Sequence, residues 1–291
     1  MSARILVVDG NTAAVNEANI KAGGTASGAH YAEVLAGLHP GLDIVLTHPA
    51  EAAEPILDFE TFDGVAFTGS ALNVYDMTPP ITRQIDIAKA ALDAGCSLFG
   101  SCWGLQVIAT ALGGRVHKNP KGREIGIARR IQRTPAGAEH PLLAGKGAVF
   151  DAICVHLDEV VEVPAGMSVL AQNAVSDVQA ASFGDAASGP HAWAVQYHPE
   201  YDFNEIAAVM ARYGPRLLAD GLFADVATMQ RYLDDLKTLH KAPDRQDLAW
   251  AHGLDASTLD RGQRERELRN WIEFILLPRA QVRVGLRRAG Q

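Results

Sequence analysis

The sequence predicts an α/β fold: a mostly parallel central sheet with flanking helices, a small antiparallel addition and a C-terminal helical appendage. Three observations predict it. Short apolar runs alternate with helical patterns through the first third of the chain, the rhythm of strands buried on both faces by crossover helices. After Gly113-Gly114, strand-like segments follow one another with little helix between them. From Pro215 onward only amphipathic helical stripes remain.

In chain order, Ile5–Val8 reads as a buried first strand. Asp9–Gly28, rich in Gly, Ala, Asn and Thr, reads as a loop at the sheet edge where open α/β proteins carry ligands, either plain surface or substrate-contacting. His30–Leu38 has apolar positions at helical spacing. Asp43–Leu46 and Val65–Phe67 are the second and third strands. Ile81, Ile85, Ala88 and Leu92 share one helical face. Ser97–Gly100 is a short strand and Leu105–Leu112 a helix. The segments 125–131, 148–155, 168–171, 178–183 and 192–197 form the antiparallel portion and the return to the central sheet. Ile206, Val209, Met210, Tyr213 and Leu217 then make a helical stripe. These elements compose one domain over 1–215. Residues 216–291 form a helical extension, with stripes at Phe223–Leu239 and Leu268–Leu276.

Composition narrows the function. The chain has 291 residues, of which 48% are hydrophobic and 21% charged, which excludes a disordered or collagen-like protein. Its net charge of -8 repels phosphate backbones, so nucleic acid is not an expected partner. No apolar run approaches the roughly 20 residues that span a bilayer, and the first apolar stretch is too short for a signal peptide. Cys96, Cys102 and Cys154 form no CxxC pair, which argues against a disulfide framework and a zinc site. The expectation is a cytoplasmic protein with reduced thiols, no membrane partner, and no metal or organic cofactor.

The chemistry concentrates at Ser97-Leu98-Phe99-Gly100-Ser101-Cys102-Trp103-Gly104-Leu105-Gln106. An apolar strand runs into Gly-x-Cys-x-Gly and a helix follows. A nucleophile on such a strand-to-helix turn has a strained backbone, and only small neighbours leave room for it. The helix start aims unpaired N–H groups and the positive end of its dipole at Cys102, and the Trp103 N–H is placed to bind an oxyanion. Cys96 and Cys154 lack this context and read as packing residues.

A thiol nucleophile needs a base that later protonates the leaving group. Of ten histidines, His198 stands out: it follows a buried strand and precedes Pro199-Glu200. Glu200, two positions on, projects to the same side if the backbone stays extended, where a carboxylate fixes the imidazole tautomer. An α/β-hydrolase would place its acid before a distant histidine, and a papain-like protease its cysteine near the mature N-terminus, so neither order fits.

Cys102-Trp103-Gly104-Leu105-Gln106 with Tyr197-His198-Pro199-Glu200 resembles the class I glutamine amidotransferases, over roughly residues 3–212, and most nearly the glutaminase domains of GMP synthetases. Arg123-Glu124-Ile125-Gly126 and His156-Leu157-Asp158-Glu159-Val160 extend the likeness. The resemblance implies attack on a γ-glutamyl amide, a γ-glutamyl thioester and its hydrolysis. It implies a second oxyanion donor at Gly69, although Phe67-Thr68-Gly69-Ser70 replaces a Gly-Gly-Pro-like loop and leaves open whether the hole forms without a partner. It gives Gln106 a substrate-holding role. His156 and Asp158 read as structural, and Tyr75-Asp76 as a turn.

No GxxxxGK[ST] loop or dinucleotide fingerprint is present, so any ammonia-consuming synthase is another polypeptide. The first expectation is a glutaminase with a Cys102-His198-Glu200 triad that passes ammonia to a separate synthase. The second is a stand-alone hydrolase of a γ-glutamylated amine, and the third an idle regulatory module on the same fold. The basic runs 117–123, 261–269 and 279–288 read as solvated faces, and the C-terminal helices as a docking platform for a synthase subunit, a dimer interface or a lid.

Overall fold

A computed structural model describes residues 3–52, 57–184 and 191–282. The strands are β1 Arg4–Val8, β2 Asp43–Thr47, β3 Gly64–Phe67, β4 Ser97–Ser101, β5 Arg115–Lys118, β6 Glu124–Arg133, β7 Val149–His156, β8 Asp158–Glu162, β9 Met167–Gln172, β10 Ala180–Phe183 and β11 His191–Val195. Nine of them form one sheet in the order β2-β1-β3-β4-β11-β10-β9-β6-β7. The first five in that order run parallel, and the last four join antiparallel. β5 and β8 pair separately as an antiparallel ribbon. The fold class is the one the sequence predicts.

The inner parallel strands β1, β3, β4 and β11 are buried on both faces, whereas β2, at the sheet edge, is partly exposed. Ile5 and Val7 of β1 enter one core, with Tyr31 and Leu35 of a helix at Ser27–Leu38. Leu6 and Val8 enter the opposite core, with helices at Pro79–Asp93 and Trp103–Ala111. A third apolar cluster joins β6 and β7 to helices at Phe203–Ala219 and Val226–Lys241.

Four elements differ from expectation. Ala13–Lys21, inside the expected loop, is helical; it buries only Asn19, so it has no apolar stripe to announce it. β5 and β8 were not expected as strands: they are short, and β5 exposes three of its four residues. Strand β11 ends at Val195, three residues before His198.

The C-terminal stripes are covered by the chain itself. Leu233, Leu236 and Leu239 pack in the third cluster, and Leu268, Trp271 and Ile272 in the first. The Trp271 indole donates to Ser97 Oγ at 2.8 Å, and a β-carbon on Gly64 would lie 2.5 Å from Leu276 Cδ2. Glu267, fully buried, accepts from the Tyr197 hydroxyl at 2.6 Å and faces the Lys146 ammonium at 3.2 Å. Trp250 and Phe274 remain exposed. The basic run 279–288 lies outside the described residues from 283 on. No helix among the described residues is long and apolar enough to cross a membrane.

Candidate active site

Strand order brings four loops to one edge of the sheet. β4 and β11 are parallel neighbours with Ser101 opposite Val195, so Cys102 and the segment leading to His198 leave the sheet side by side. β3 lies on the other side of β4 with Phe67 opposite Gly100, and β1 follows with Val8 opposite Phe67. The carboxyl ends of all four strands converge where ligand sites of open α/β sheets form.

Cys102 occupies the elbow with φ 52° and ψ -100°, between β4 and the helix that starts at Trp103. A non-glycine residue at positive φ outside the left-handed helical well is strained, and such strain collects at functional sites. Its N–H donates to the Val195 carbonyl at 2.7 Å. The flanking glycines are required by space: a β-carbon on Gly100 would lie 2.4 Å from the Gly104 carbonyl carbon, and one on Gly104 2.7 Å from the Phe67 oxygen. The Trp103 N–H, at the first position of the helix, has no intrahelical acceptor. The indole of Trp103 is buried and donates to Gln84 Oε1 at 2.7 Å.

His198 and Glu200 meet through a turn rather than along an extended strand. The Tyr201 N–H donates to the His198 carbonyl at 3.2 Å, closing a four-residue turn whose second position is Pro199. Nδ1 of His198 lies 2.7 Å from Glu200 Oε1, and both side chains are buried. The ring is stacked on Tyr201, with centroids 4.0 Å apart and planes at 9°. Burial alone would lower the imidazole pKa. The Glu200 charge, and after it the neighbouring Cys102 sulfur, outweigh that and push it up to about 10. Nε2 makes no hydrogen bond among the described residues, and the Cys102 thiol instead donates to the Val155 carbonyl at 3.3 Å. Nδ1 is therefore committed to the carboxylate, and Nε2 is available for proton transfer.

Gly69 abuts the same ring: a β-carbon there would fall 2.5 Å from His198 Cε1. Gln106 is buried beside Cys102, its amide nitrogen 3.3 Å from the Asp158 carbonyl and 3.4 Å from Gln196 Oε1. A cavity of about 130 Å³ opens over Cys102, bordered by Ser70, Gln106, Arg123, Asp158 and Tyr213, among others. Arg123 lies over the Tyr213 ring and makes no hydrogen bond among the described residues, its nearest carboxylate being Asp220 at 3.8 Å. Burial raises the Asp158 pKa, opposed by the Tyr75 hydroxyl bond and by the charge of Arg123. His156 instead lies between Glu124, at 2.9 Å, and the Asp158 carbonyl, at 3.1 Å. A larger cavity of about 490 Å³ lies behind Glu200, and Cys102 does not border it. Burial pushes the Cys154 thiol up, in keeping with a packing role, and Cys96 is also buried. Among the described residues no group of three or more His, Cys, Asp or Glu is placed to hold a metal.

All six residues singled out in the sequence thus lie at this edge. Tyr201, Arg123 as a cavity wall, and the part of Asp158 that faces the cavity were not anticipated. An aromatic directly after His-Pro-Glu was the available signal for the first. The other two were visible only as members of motifs.

A thiol on a strained strand-to-helix elbow thus lies beside an imidazole held by a carboxylate. The family model for glutamine amidotransferase class-I matches residues 32–213, and the chain belongs to that family. Along nearly its whole length it is similar to a gamma-glutamyl-L-1-hydroxyisopropylamide hydrolase from Pseudomonas sp., with 27% identity over 97% of this chain and 96% of that protein. It is also 31% identical to a glutamine-hydrolyzing GMP synthase from Thermomicrobium roseum, over 51% of this chain but only 25% of the synthase. In fold it is similar to the crystal structure of a glutamine amidotransferase from Thermotoga maritima, with TM-score 0.65 and 15% identity over 94% of this chain and 98% of the other.

Proposed function

We propose that the chain hydrolyses the γ-glutamyl amide bond of a small γ-glutamylated amine, acting without a synthase. The observation that carries this reading is the 2.7 Å pairing of His198 with Glu200 beside a thiol on a positive-φ elbow. The end-to-end similarity to a γ-glutamyl amide hydrolase supports the substrate class.

In this reading the thiol proton of Cys102 already rests on His198 Nε2, whose raised pKa favours the imidazolium, when Sγ attacks the γ-carbonyl carbon. The oxyanion accepts from the N–H groups of Gly69 and Trp103. Collapse of the tetrahedral adduct expels the amine, which leaves with the proton from His198. Water then attacks the thioester, giving its proton to His198, and glutamate departs with the thiol restored. Glu200 holds the tautomer and stabilises the imidazolium. Tyr201 fixes the ring plane. Arg123 and Asp158, opposite charges on one cavity, suit the α-carboxylate and α-ammonium of a γ-glutamyl group. Gln106 holds the Asp158 backbone and lines the same cavity.

The match to a glutamine-hydrolyzing synthase favours a second reading, in which glutamine is the substrate and ammonia passes to a separate synthase. A panel of γ-glutamyl alkylamines and hydroxyalkylamines, assayed against glutamine with Cys102→Ala as control, separates the two. Faster turnover of an amine conjugate by the chain alone is expected. Preference for glutamine would overturn the first reading, and failure of glutamine-like electrophiles to label Cys102 would overturn both.

A further inference from the structure

Two stretches of chain supply most of the wall of the cavity over Cys102: 70–73, after β3, and 155–158, at the turn from β7 to β8. The first is tied to the loop after β1. The Ala71 N–H donates to Asn11 Oδ1 at 2.9 Å, and Ser70 Oγ donates to the Gly10 carbonyl at 2.8 Å. The second is held through its backbone. The Asp158 carbonyl accepts from Gln106 Nε2 at 3.3 Å and lies 3.1 Å from His156 Nδ1, and the Leu157 carbonyl accepts from the Asn119 N–H at 2.9 Å. Nε2 of His156 lies in turn 2.9 Å from Glu124, whose carboxylate also accepts from the Asn173 and Gln179 amides at 2.7 and 2.8 Å.

None of these bonds reaches the Asp158 carboxylate. The last torsion of an aspartate is broad, so a fixed backbone alone does not orient its oxygens. The hydroxyl of Tyr75 does reach them, donating to Asp158 Oδ1 at 3.3 Å. Tyr75 lies in a single 3₁₀ turn, Val74–Asp76, that follows directly on the first wall segment and ends at Met77 with φ 48°. Its ring is stacked on His117 of β5, with centroids 5.7 Å apart and planes at 15°. β5 pairs with β8 so that Lys118 stands opposite Asp158. The phenol thus spans from a turn continuous with one wall to the strand pair that carries the other. Burial opposes the charge on Asp158; the Tyr75 hydroxyl, then Arg123 and His156, favour it, and Asp76 works against it.

We infer that Tyr75 is a positioning residue whose hydroxyl holds the Asp158 carboxylate ready for the α-ammonium of a γ-glutamyl group. The inference rests on the reading of this cavity as a γ-glutamyl subsite. It assigns discrimination for an α-amino substrate partly to a residue outside the cavity wall. The turn reading of Tyr75-Asp76 holds for the backbone, and the side chain carries this second task.

The test uses two anilides and the full chain. γ-Glutamyl-p-nitroanilide carries the α-ammonium; glutaryl-p-nitroanilide keeps a carboxylate and lacks it. The wild-type chain should show a KM about tenfold or more lower for the first, as a contact between charged groups implies. Tyr75→Phe keeps the ring and its stack on His117 and removes only a hydroxyl on a part-exposed residue. It should raise KM for the γ-glutamyl anilide about 3- to 10-fold, the loss of one hydrogen bond. Its kcat should stay within about twofold, and so should its KM for the glutaryl anilide. In an Asp158→Asn background the same substitution should change KM by less than about twofold, because its effect passes through that carboxylate. An unchanged KM, an equal rise on both anilides, or a rise that persists with Asp158→Asn would overturn the inference. A wild-type chain with equal KM for the two anilides would remove Asp158 as the ammonium reader, and the inference with it. A wild-type chain idle on the γ-glutamyl anilide would instead bring down the hydrolase reading on which both stand.

Discussion

Replacing Gly69 by alanine would leave the backbone N–H in place and yet move the base. The new β-carbon would sit 2.5 Å from His198 Cε1. Unbonded carbons settle at about 3.5–4.0 Å, so the ring or the loop must give by about 1 Å. The ring has little freedom, because Tyr201 stacks on its face at 4.0 Å and Glu200 holds Nδ1 at 2.7 Å. The loop is tied to Gly10 and Asn11. A misplacement of about 1 Å costs on the order of 10²-fold in rate, or about 2.7 kcal/mol of barrier. Overpacking itself should remove about 1–3 kcal/mol of stability. The assay is steady-state kcat on a γ-glutamyl amide, with thermal unfolding followed in parallel to confirm that the variant is folded at the assay temperature. A folded Gly69→Ala enzyme with kcat within about threefold of wild type would refute the argument that this α-carbon sets the position of the imidazole.

Glu200→Gln removes the charge that lifts the His198 pKa. The raised pKa contributes stability that is present below the ordinary value of 6.5 and is lost as pH rises through about 10. The melting-temperature gap between wild type and this variant should therefore be widest near pH 6 and narrow toward pH 10; a gap that widens with pH would contradict the pairing. Arg123→Gln should raise KM for γ-glutamyl amides by about tenfold or more, as loss of a charge-assisted contact of about 1.5–3 kcal/mol implies, yet scarcely affect 4-aminobutanamide, which lacks the α-carboxylate. Equal losses on the two substrates would leave Arg123 no part in reading that group. Trp271→Ala should cost about 3–5 kcal/mol of stability, because a fully buried indole and its bond to Ser97 are lost. A shift of under about 1 kcal/mol in denaturant unfolding would mean that the packing against β3 and β4 contributes little.

The parallel half of the sheet was legible because both faces of β1, β3 and β4 are buried, which writes uninterrupted apolar runs into the chain. The elbow was legible because sterics leave little choice at Gly100 and Gly104. The pairing of His198 with Glu200 was foreseen, but its geometry was not: Pro199 turns the chain, so the two side chains meet by reversal rather than by strand alternation. The helix at Ala13–Lys21 was hidden because it buries almost nothing apolar. The grip of Asn11 on the loop after β3 joins residues some 60 positions apart through backbone groups, and sequence pattern carries no record of such bonds. Tyr201 escaped for a related reason, since ring stacking has no period.

The buried contact between Tyr197 and Glu267 makes the last helices a stakeholder in chemistry they never touch. Tyr197 adjoins His198 in the chain, and the carboxylate that receives its hydroxyl is balanced by the buried Lys146 ammonium. Peeling the terminal helix away would strand a lysine charge and a phenol together, about 3–5 kcal/mol of penalty by the usual cost of a broken buried pair. Fraying of that segment by heat, chaotrope or protease would release the residue that immediately precedes His198. Inactivation should track the loosening of residues far along the chain before the sheet itself gives way.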